Sequence, residues 1–364
     1  MRTAEFISPE DPRWEKFLRT CRHDFYHLPE YLKLCAKSEG TTPAAFYADD
    51  GQAAFLAPLL IRPIPSVLGA PEGWSDAASP YGYSTPLVTP SEVSLDRFLD
   101  AFCHAARLRG LVTAFFRLHP LLGLNHEDLS KFGQLINHGE TVFFDLSTSV
   151  EEIWTRPDHK RNIRKLLSLG FTVRMDEWRW FKDFTVIYQA TMRRVGAGTE
   201  YLFSDEYFAD LRTALGERLH LCCVLSPRGD VAAVGLFVET DGIVEFHLSG
   251  TAGEYLRLAP SKLMLDFMRR WSHEKKHTVL HLGGGLGGAD NPLFQFKAGF
   301  SRDRAKFFTY RMILDEEKND FLSGLAKAGG RGSSSHGSNF FPAYRHACKL
   351  PPTETGSKEN FLAQ

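Results

Sequence analysis

The segment TVLHLGGGLGGADNPLFQFKAGF, Thr278 to Phe300, decides how the rest of the chain is read. Val279 to Leu282 has the content of a short buried strand, and five glycines follow (Gly283, Gly284, Gly285, Gly287, Gly288). Asp290-Asn291-Pro292 then reads as a turn, leading into one or two helical turns that carry Phe294, Phe296, Lys297 and Phe300. Gly283, Gly285 and Gly288 match G-x-G-x-x-G after a strand, the pattern that lets backbone N–H groups approach a pyrophosphate. That reading also needs a long helix and a ribose-binding acid about 20 residues on. The strand-like segment from Arg304 to Leu314 arrives too soon for either. A plainer reading makes the glycines a tight turn and Lys297 a solvated charge. A third makes the stretch a site, with bare backbone and a lysine set among aromatic rings.

At 364 residues the chain is long for one core, so two domains are expected. With 43% apolar and 24% charged residues it has the composition of a soluble globular protein. Its formal charge of -1 excludes a global field for nucleic acid or anionic lipid, though not a local basic patch. No apolar run reaches the roughly 18 residues of a membrane helix. The start, MRTAEFISPEDPRW, lacks the basic-then-apolar pattern of a secretory leader, so the expected location is cytoplasmic. Six cysteines without finger-like spacing are expected to be reduced thiols, and no metal is expected.

Along the chain, residues 9–38 read as two helices, and Pro43 to Ala48 with Ala53 to Ile64 as a hairpin turned by Asp49-Asp50-Gly51-Gln52. A proline- and aromatic-rich irregular segment follows, then a helix from Ser91 to Arg109, with Ser91 or Ser94 as its cap, and a strand at Val112 to Leu118. The second half runs through helices between 149 and 215 to strands at Leu219 to Leu225, Val231 to Glu239 and Ile243 to Ser249. A helix from Pro260 to Lys275 then leads into the strand at Val279. Two strands joined as a hairpin, then loop, helix and strand, thus occur twice, around 43–118 and 219–282. The fold class expected is α/β, two tandem units, each a mixed and mostly antiparallel sheet flanked by helices. The domains expected are 1–146, 147–315 and a largely flexible tail, 316–364, rich in glycine and serine.

Three constellations could carry chemistry. His273-Glu274-Lys275-Lys276-His277 matches the H-E-x-x-H zinc signature, but it falls at a helix end just before a buried strand, where cations complement the helix dipole. On the strand Ile243 to Ser249, Glu245 and His247 alternate onto one face and could relay a proton from an amine or hydroxyl; a half-solvated strand face is the plain alternative. Arg156, His159, Lys160, Arg161, Arg164 and Lys165 make a basic segment, either a solvated face or a grip on a phosphate-bearing ligand.

The segments YHLPEYLKL, DAASPYGYSTPLV, HKRNIRKLLSLGFTV, TEYLFSDEYFADL, LSGTAGEYLRLAPSKLML and LHLGGGLGGADNPLFQFKAGFS together resemble the FemABX-like branch of the GNAT superfamily, across most of residues 25–315. Thr85 stands where the family's SPYGY-x-G-P often has glycine. The resemblance implies tandem GNAT-like domains facing each other across a cleft, the first a degenerate copy that mostly shapes the acceptor site and the second carrying the donor and catalytic site. It implies a transferase moving an acyl group from an acyl-CoA-type cosubstrate, with no permanently bound cofactor, to an amine or hydroxyl of a nucleotide sugar, polysaccharide or envelope precursor. The alternatives are an aminoacyl-tRNA-dependent enzyme of the peptidoglycan-bridge type and an inactive binding module. It assigns chemistry to Lys297, as oxyanion or phosphate stabiliser, to Tyr255, as proton donor or packing residue, and to Asp290, although Asp290 or Asn291 ahead of Pro292 is equally a helix cap; Glu245 and His247 stand beside them as the candidate base pair. Donor contacts fall to Arg257, Pro260, Ser261 and Lys262, and acceptor contacts to Tyr81, Tyr83, Lys160, Arg161 and Arg164. The helix start at Ala259-Pro260-Ser261 lacks the family's Q/R-x-x-G-x-G/A pattern.

Overall fold

The computed structural model describes residues 1–149, 152–327 and 340–346. The chain forms two compact units, one of residues 1–137 with the described residues from 308 onward, the other of residues 138–307. The first unit opens with β1 (Thr3–Ile7), α1 (Pro12–Leu18) and α2 (Pro29–Glu39). Asp11 caps α1 by accepting from the Arg13 N–H, with Pro12 at the first helical position where its missing N–H is harmless. Gly40, at φ 63, ends α2. The expected hairpin follows as β2 (Thr42–Asp49) and β3 (Ala54–Pro63). The irregular segment beyond it contains two short strands that its prolines and glycines disguised, β4 (Ser75–Ala78) and β5 (Leu87–Thr89). Then come α3 (Asp96–Leu108), β6 (Leu111–Arg117) and α4 (His126–Ser130). Strands β1 to β4 pair antiparallel in order, β5 pairs with β3, and β4 pairs parallel with β6. The parallel step requires a crossover, which α3 supplies. Its buried residues, Phe98, Leu99, Phe102, Cys103 and Ala106, fall on one helical stripe and meet Phe46, Phe55 and Phe116 from the sheet.

The chain then continues through β7 (Gln134–Asp145), α5 (Pro157–Ser168), β8 (Thr172–Met175), α6 (Phe181–Arg194) and α7 (Asp205–Leu215). The meander β9 (Leu219–Leu225), β10 (Val231–Thr240) and β11 (Ile243–Thr251) follows, then α8 (Ser261–Glu274), β12 (Val279–Gly284) and α9 (Pro292–Ala298). Strands β8 to β11 are antiparallel in order, β11 and β12 are parallel with α8 crossing between them, and β7 closes antiparallel on β12. Met264 and Met268 of α8 pack with Phe237, Leu280, Phe144 and Phe300 in the core of this unit.

The last described elements are β13 (Arg304–Ile313), α10 (Glu316–Ala326) and α11 (Ala343–His346). β13 pairs antiparallel with β6 through Thr309–Ile313. Both units therefore have one topology: four antiparallel strands, a helical crossover to a parallel fifth, and an antiparallel sixth. The sixth strands are exchanged in chain order, since β7 precedes the second unit's strands and β13 follows them. For this reason the units change at 137/138 and 307/308, against the expected 146/147 and 315/316. Alternation along a strand marks it as a strand without saying which sheet it joins. The expected flexible tail also differs: Leu322 and Ala326 of α10 and Tyr344 of α11 are buried with Ile64, Leu68 and Val112 of the first unit. The glycine- and serine-rich part, 328–339, lies outside the described residues.

Candidate active site

In the second unit the parallel ladder between β11 and β12 covers three positions, Ile243 with Val279, Val244 with Leu280, and Glu245 with His281. Beyond them β11 runs on to Thr251 and β12 to Gly284 with no further rungs between the two, so the strands fork. The last rung is tied by a buried hydrogen-bonded pair, in which His281 Nδ1 donates to both Glu245 oxygens at 2.8 and 2.9 Å. Pairing of β10 with β11 steps from Phe237–Phe246 to Leu236–Leu248, which makes His247 the extra residue of a β-bulge. The simple alternation that put Glu245 and His247 on one face ends there. Phe246 stacks on Phe237 in the core at 5.1 Å, His247 is half-buried, and the partner of Glu245 is His281. His281 is the functional candidate that sequence reading missed. Its signal was a histidine inside an otherwise apolar strand, just ahead of the glycines.

The glycine run is a close-packed turn. A Cβ on Gly288 would sit 2.4 Å from the His138 carbonyl oxygen, one on Gly285 would sit 2.1 Å from that of Ala289, and Gly283 and Gly287 have φ of 74° and 64°. This removes the dinucleotide reading, because the glycines face backbone of the same unit. Asn291, rather than Asp290, caps α9 by accepting from the Phe294 N–H at 3.0 Å, while exposed Asp290 accepts from Gln295. The cap fixes where α9 starts and thereby where Lys297 falls. Lys297 Nζ donates to the Gly284 carbonyl at 2.9 Å and lies 6.0 Å from the Phe246 ring centroid. Burial pushes its pKa down to about 8, with the Glu245 carboxylate pulling the other way. The third reading of the opening segment is thus the one the geometry favours: a cation near neutrality at the mouth of a fork.

The start of α8 is less open to a ligand than expected. Pro260 precedes it with no side-chain cap, and the N–H groups of Lys262 and Leu263 already donate to the Ala259 and Pro260 carbonyls at 3.1 and 3.0 Å. The Lys262 ammonium lies 3.9 Å from Asp158, and burial lowers its pKa. Ser261 is half-buried and Arg257 exposed. Asn162 of α5 donates to the Leu258 carbonyl at 3.1 Å, which brings the basic helix beside this start. His159, Ile163 and Leu166 are the buried face of α5, and Lys160, Arg161, Arg164 and Lys165 are exposed. Burial, then the charges of Lys262 and Arg156, bring His159 down to about 4, so it is a neutral ring, packed 4.6 Å from Phe300. Tyr255 is buried, its hydroxyl donating to Asp230 at 2.8 Å and accepting from Arg228 at 3.3 Å. That engagement ties it to the β9–β10 turn and argues against a proton donor. The H-E-x-x-H residues separate too: His273 is in the last turn of α8, while His277 lies beyond it and contacts Glu239 at 2.7 Å.

The first unit repeats the topology with the fork closed. Ala78 pairs with Phe115 at the end of β4, and the zipper continues as the Ser79 N–H donates to the Phe115 carbonyl and the Arg117 N–H to the Ser79 hydroxyl, at 2.8 and 3.0 Å. The start of the crossover helix is plugged as well: Asp128 of α4 accepts from the Leu95 N–H at 2.8 Å, and Ser94, one of the two serines expected there, accepts from the Asp96 N–H at 3.4 Å. Tyr81 and Tyr83 belong to this unit. The Tyr31 hydroxyl donates to the Tyr81 carbonyl at 3.0 Å, and Tyr83 packs edge-on to Tyr26 at 5.8 Å. Gly82, at φ 103, is held flat against Tyr26, whereas Thr85 has no positive φ and fits where the family often has glycine.

Residues 155–297, which include the fork, the start of α8 and Lys297, match the acetyltransferase (GNAT) domain family. No curated protein matches the sequence. Among solved structures, the fold is similar to FemX, with a TM-score of 0.67 at 13% identity, over 87% of this chain and 99% of that one. It is also similar to L-PGS from Bacillus licheniformis, with a TM-score of 0.54 at 15% identity, over 83% and 92% of the two chains. A region matching the acetyltransferase (GNAT) domain family, residues 155–297, thus sits within a chain whose fold is similar to that of FemX.

Proposed function

We propose that the second unit transfers an aminoacyl group, carried as an ester, to an amine of a cell-envelope precursor. The observation that carries this reading is the contrast between two copies of one topology. The first is zipped and plugged, and the second opens into a fork with Lys297 at its mouth. In the reaction the acceptor amine, unprotonated, attacks the ester carbonyl. A C–N bond forms, the C–O bond breaks, the amine's proton passes to water and the departing oxygen is reprotonated. The Lys297 ammonium donates to the oxyanion that develops on the carbonyl, exchanging its bond to the Gly284 carbonyl for a stronger charge-assisted one. Glu245, held by His281, keeps Lys297 cationic and fixes the fork.

The donor is inferred from the start of α8. Its first amides are spent within the chain and its lysine is paired with Asp158, which gives a coenzyme pyrophosphate little to bind. The exposed cations of α5 beside it, Lys160, Arg161, Arg164 and Lys165, suit a polyanionic carrier such as tRNA. The names of the similar structures, FemX and L-PGS, agree with envelope chemistry. Thermal shift with CoA thioesters, uncharged tRNA and aminoacyl-tRNA tests the donor. A ligand at about 100 times its dissociation constant adds about 2.7 kcal/mol. A shift with aminoacyl-tRNA that salt weakens supports this reading, and a shift with CoA thioesters alone overturns it in favour of acyl-CoA.

A further inference from the structure

An open pocket of about 640 Å³ lies on the first unit where α2 ends and β3 runs out, lined by Glu39, Thr41, Arg62, Pro63, Ser66 and Arg345 among others. Its two guanidiniums are fixed by one carboxylate. Asp76 of β4 is wholly buried and accepts from Arg62 Nε at 2.7 Å on one oxygen and from Arg345 Nε at 2.5 Å on the other. The Tyr344 hydroxyl adds a third bond to Asp76 at 3.1 Å, and Arg345 Nη2 donates to the Pro63 carbonyl at 2.7 Å. The arginine side chains remain 22% and 18% exposed, so each keeps part of its fork at the surface. Two cations on one carboxylate leave one positive charge in surplus.

The opposing charge in the pocket is Glu39. Its carboxyl feels Arg62, Arg117 and Arg345, although burial is the larger influence and raises its pKa. Thr41 Oγ1 is buried and has no hydrogen-bond partner among the described residues. This arrangement selects by charge. A phosphate dianion would gain the guanidiniums and be repelled by Glu39, and a simple cation would meet the reverse. A molecule with both charges satisfies each wall, and carboxylate recognition by a preset pair of arginines is the geometry that guanidinium forks favour.

We propose that this pocket binds a small zwitterion, an amino acid or short peptide with free ends, its carboxylate on Arg62 and Arg345 and its ammonium on Glu39. The site is built wholly from the first unit, whereas Lys297 belongs to the second. Calorimetric titration of the full chain at pH 8 with alanine, alanylalanine, N-acetyl-alanylalanine, alanylalanine amide and inorganic phosphate tests it. Saturable binding of alanine or alanylalanine is expected, the tighter of the two identifying the source, with either cap weakening it at least tenfold. Glu39→Gln, which keeps the shape of the side chain, should abolish the penalty for acetylation while the thermal midpoint stays unchanged. Arg345→Gln should abolish discrimination at the carboxylate. Capped and uncapped peptides binding alike, phosphate binding tighter than either peptide, no heat from any probe, or unchanged discrimination in Glu39→Gln would each overturn the proposal.

Discussion

If Lys297 acts as an ammonium, the transfer rate must follow its protonation. With its pKa at about 8, about nine in ten molecules carry the charge at pH 7 and about one in ten at pH 9. The active form is the protonated one, so this contribution is present below about pH 8 and is lost as pH rises through it. The loss should approach tenfold between pH 7 and pH 9. The acceptor amine works in the opposite sense, becoming a better nucleophile as it deprotonates, so the raw profile mixes two limbs. The ratio of wild type to Lys297→Arg at each pH separates them, because the guanidinium stays charged throughout. Single-turnover transfer, with donor bound in advance, is the assay. The ratio should fall by about an order of magnitude across the range, and Lys297→Ala at pH 7 should cost about 10²–10³ in rate, as loss of one oxyanion donor does. A ratio that stays flat, or an alanine variant within threefold of wild type, refutes the role.

Gly299→Ala would place a Cβ 2.3 Å from the His159 ring, and the resulting overpacking should cost about 1–3 kcal/mol, read as a lower urea midpoint; an unchanged midpoint would show that the ring moves freely. His220 lies 2.9 Å from Asp176 and 3.4 Å from Glu239. Burial alone would depress its pKa, but the two acids together outweigh burial and raise it. Its contribution is therefore fully present below the unfolded value near 6.5 and declines as pH rises through the raised folded value. Urea unfolding from pH 6 to pH 9 should lose that slope in His220→Gln, and an identical slope would contradict the assignment. Residues 134–307 contain all six strands of the second unit, whereas residues 1–133 lack β13. Cooperative urea unfolding is expected of the first fragment and not of the second, and cooperative unfolding by residues 1–133 would show the exchange of sixth strands to be dispensable.

Local pattern carried much of this fold. The hairpin at Asp49–Gln52, the stripe of α3 and the meander from Leu219 to Ser249 each declare themselves through turn residues or periodicity, and their repetition exposed the tandem design. The partner of a strand is a long-range fact, and for that reason the exchange of β7 and β13 was hidden. The same limit applied to the site. Lys297 could be found because its aromatic neighbours are close in sequence. Glu245 was assigned to His247, two residues away, because its real partner, His281, comes from a parallel strand 36 residues on and requires the register to be known. The bulge at His247 also breaks the alternation on which the first assignment rested. Helix capping was legible only in its local half: Ser94 accepts from the Asp96 N–H at the start of α3, while the Leu95 N–H is taken by Asp128, far along the chain.

The most direct test of the central claim is transfer itself. The protein would be incubated with tRNA charged with a radiolabelled amino acid and with amine-bearing nucleotide-sugar precursors, in parallel with a labelled acyl-CoA. The account predicts that label passes from the tRNA ester into a stable amide on the precursor, at a rate that falls sharply in Lys297→Ala. Label arriving only from the thioester, or transfer from neither donor, would contradict it.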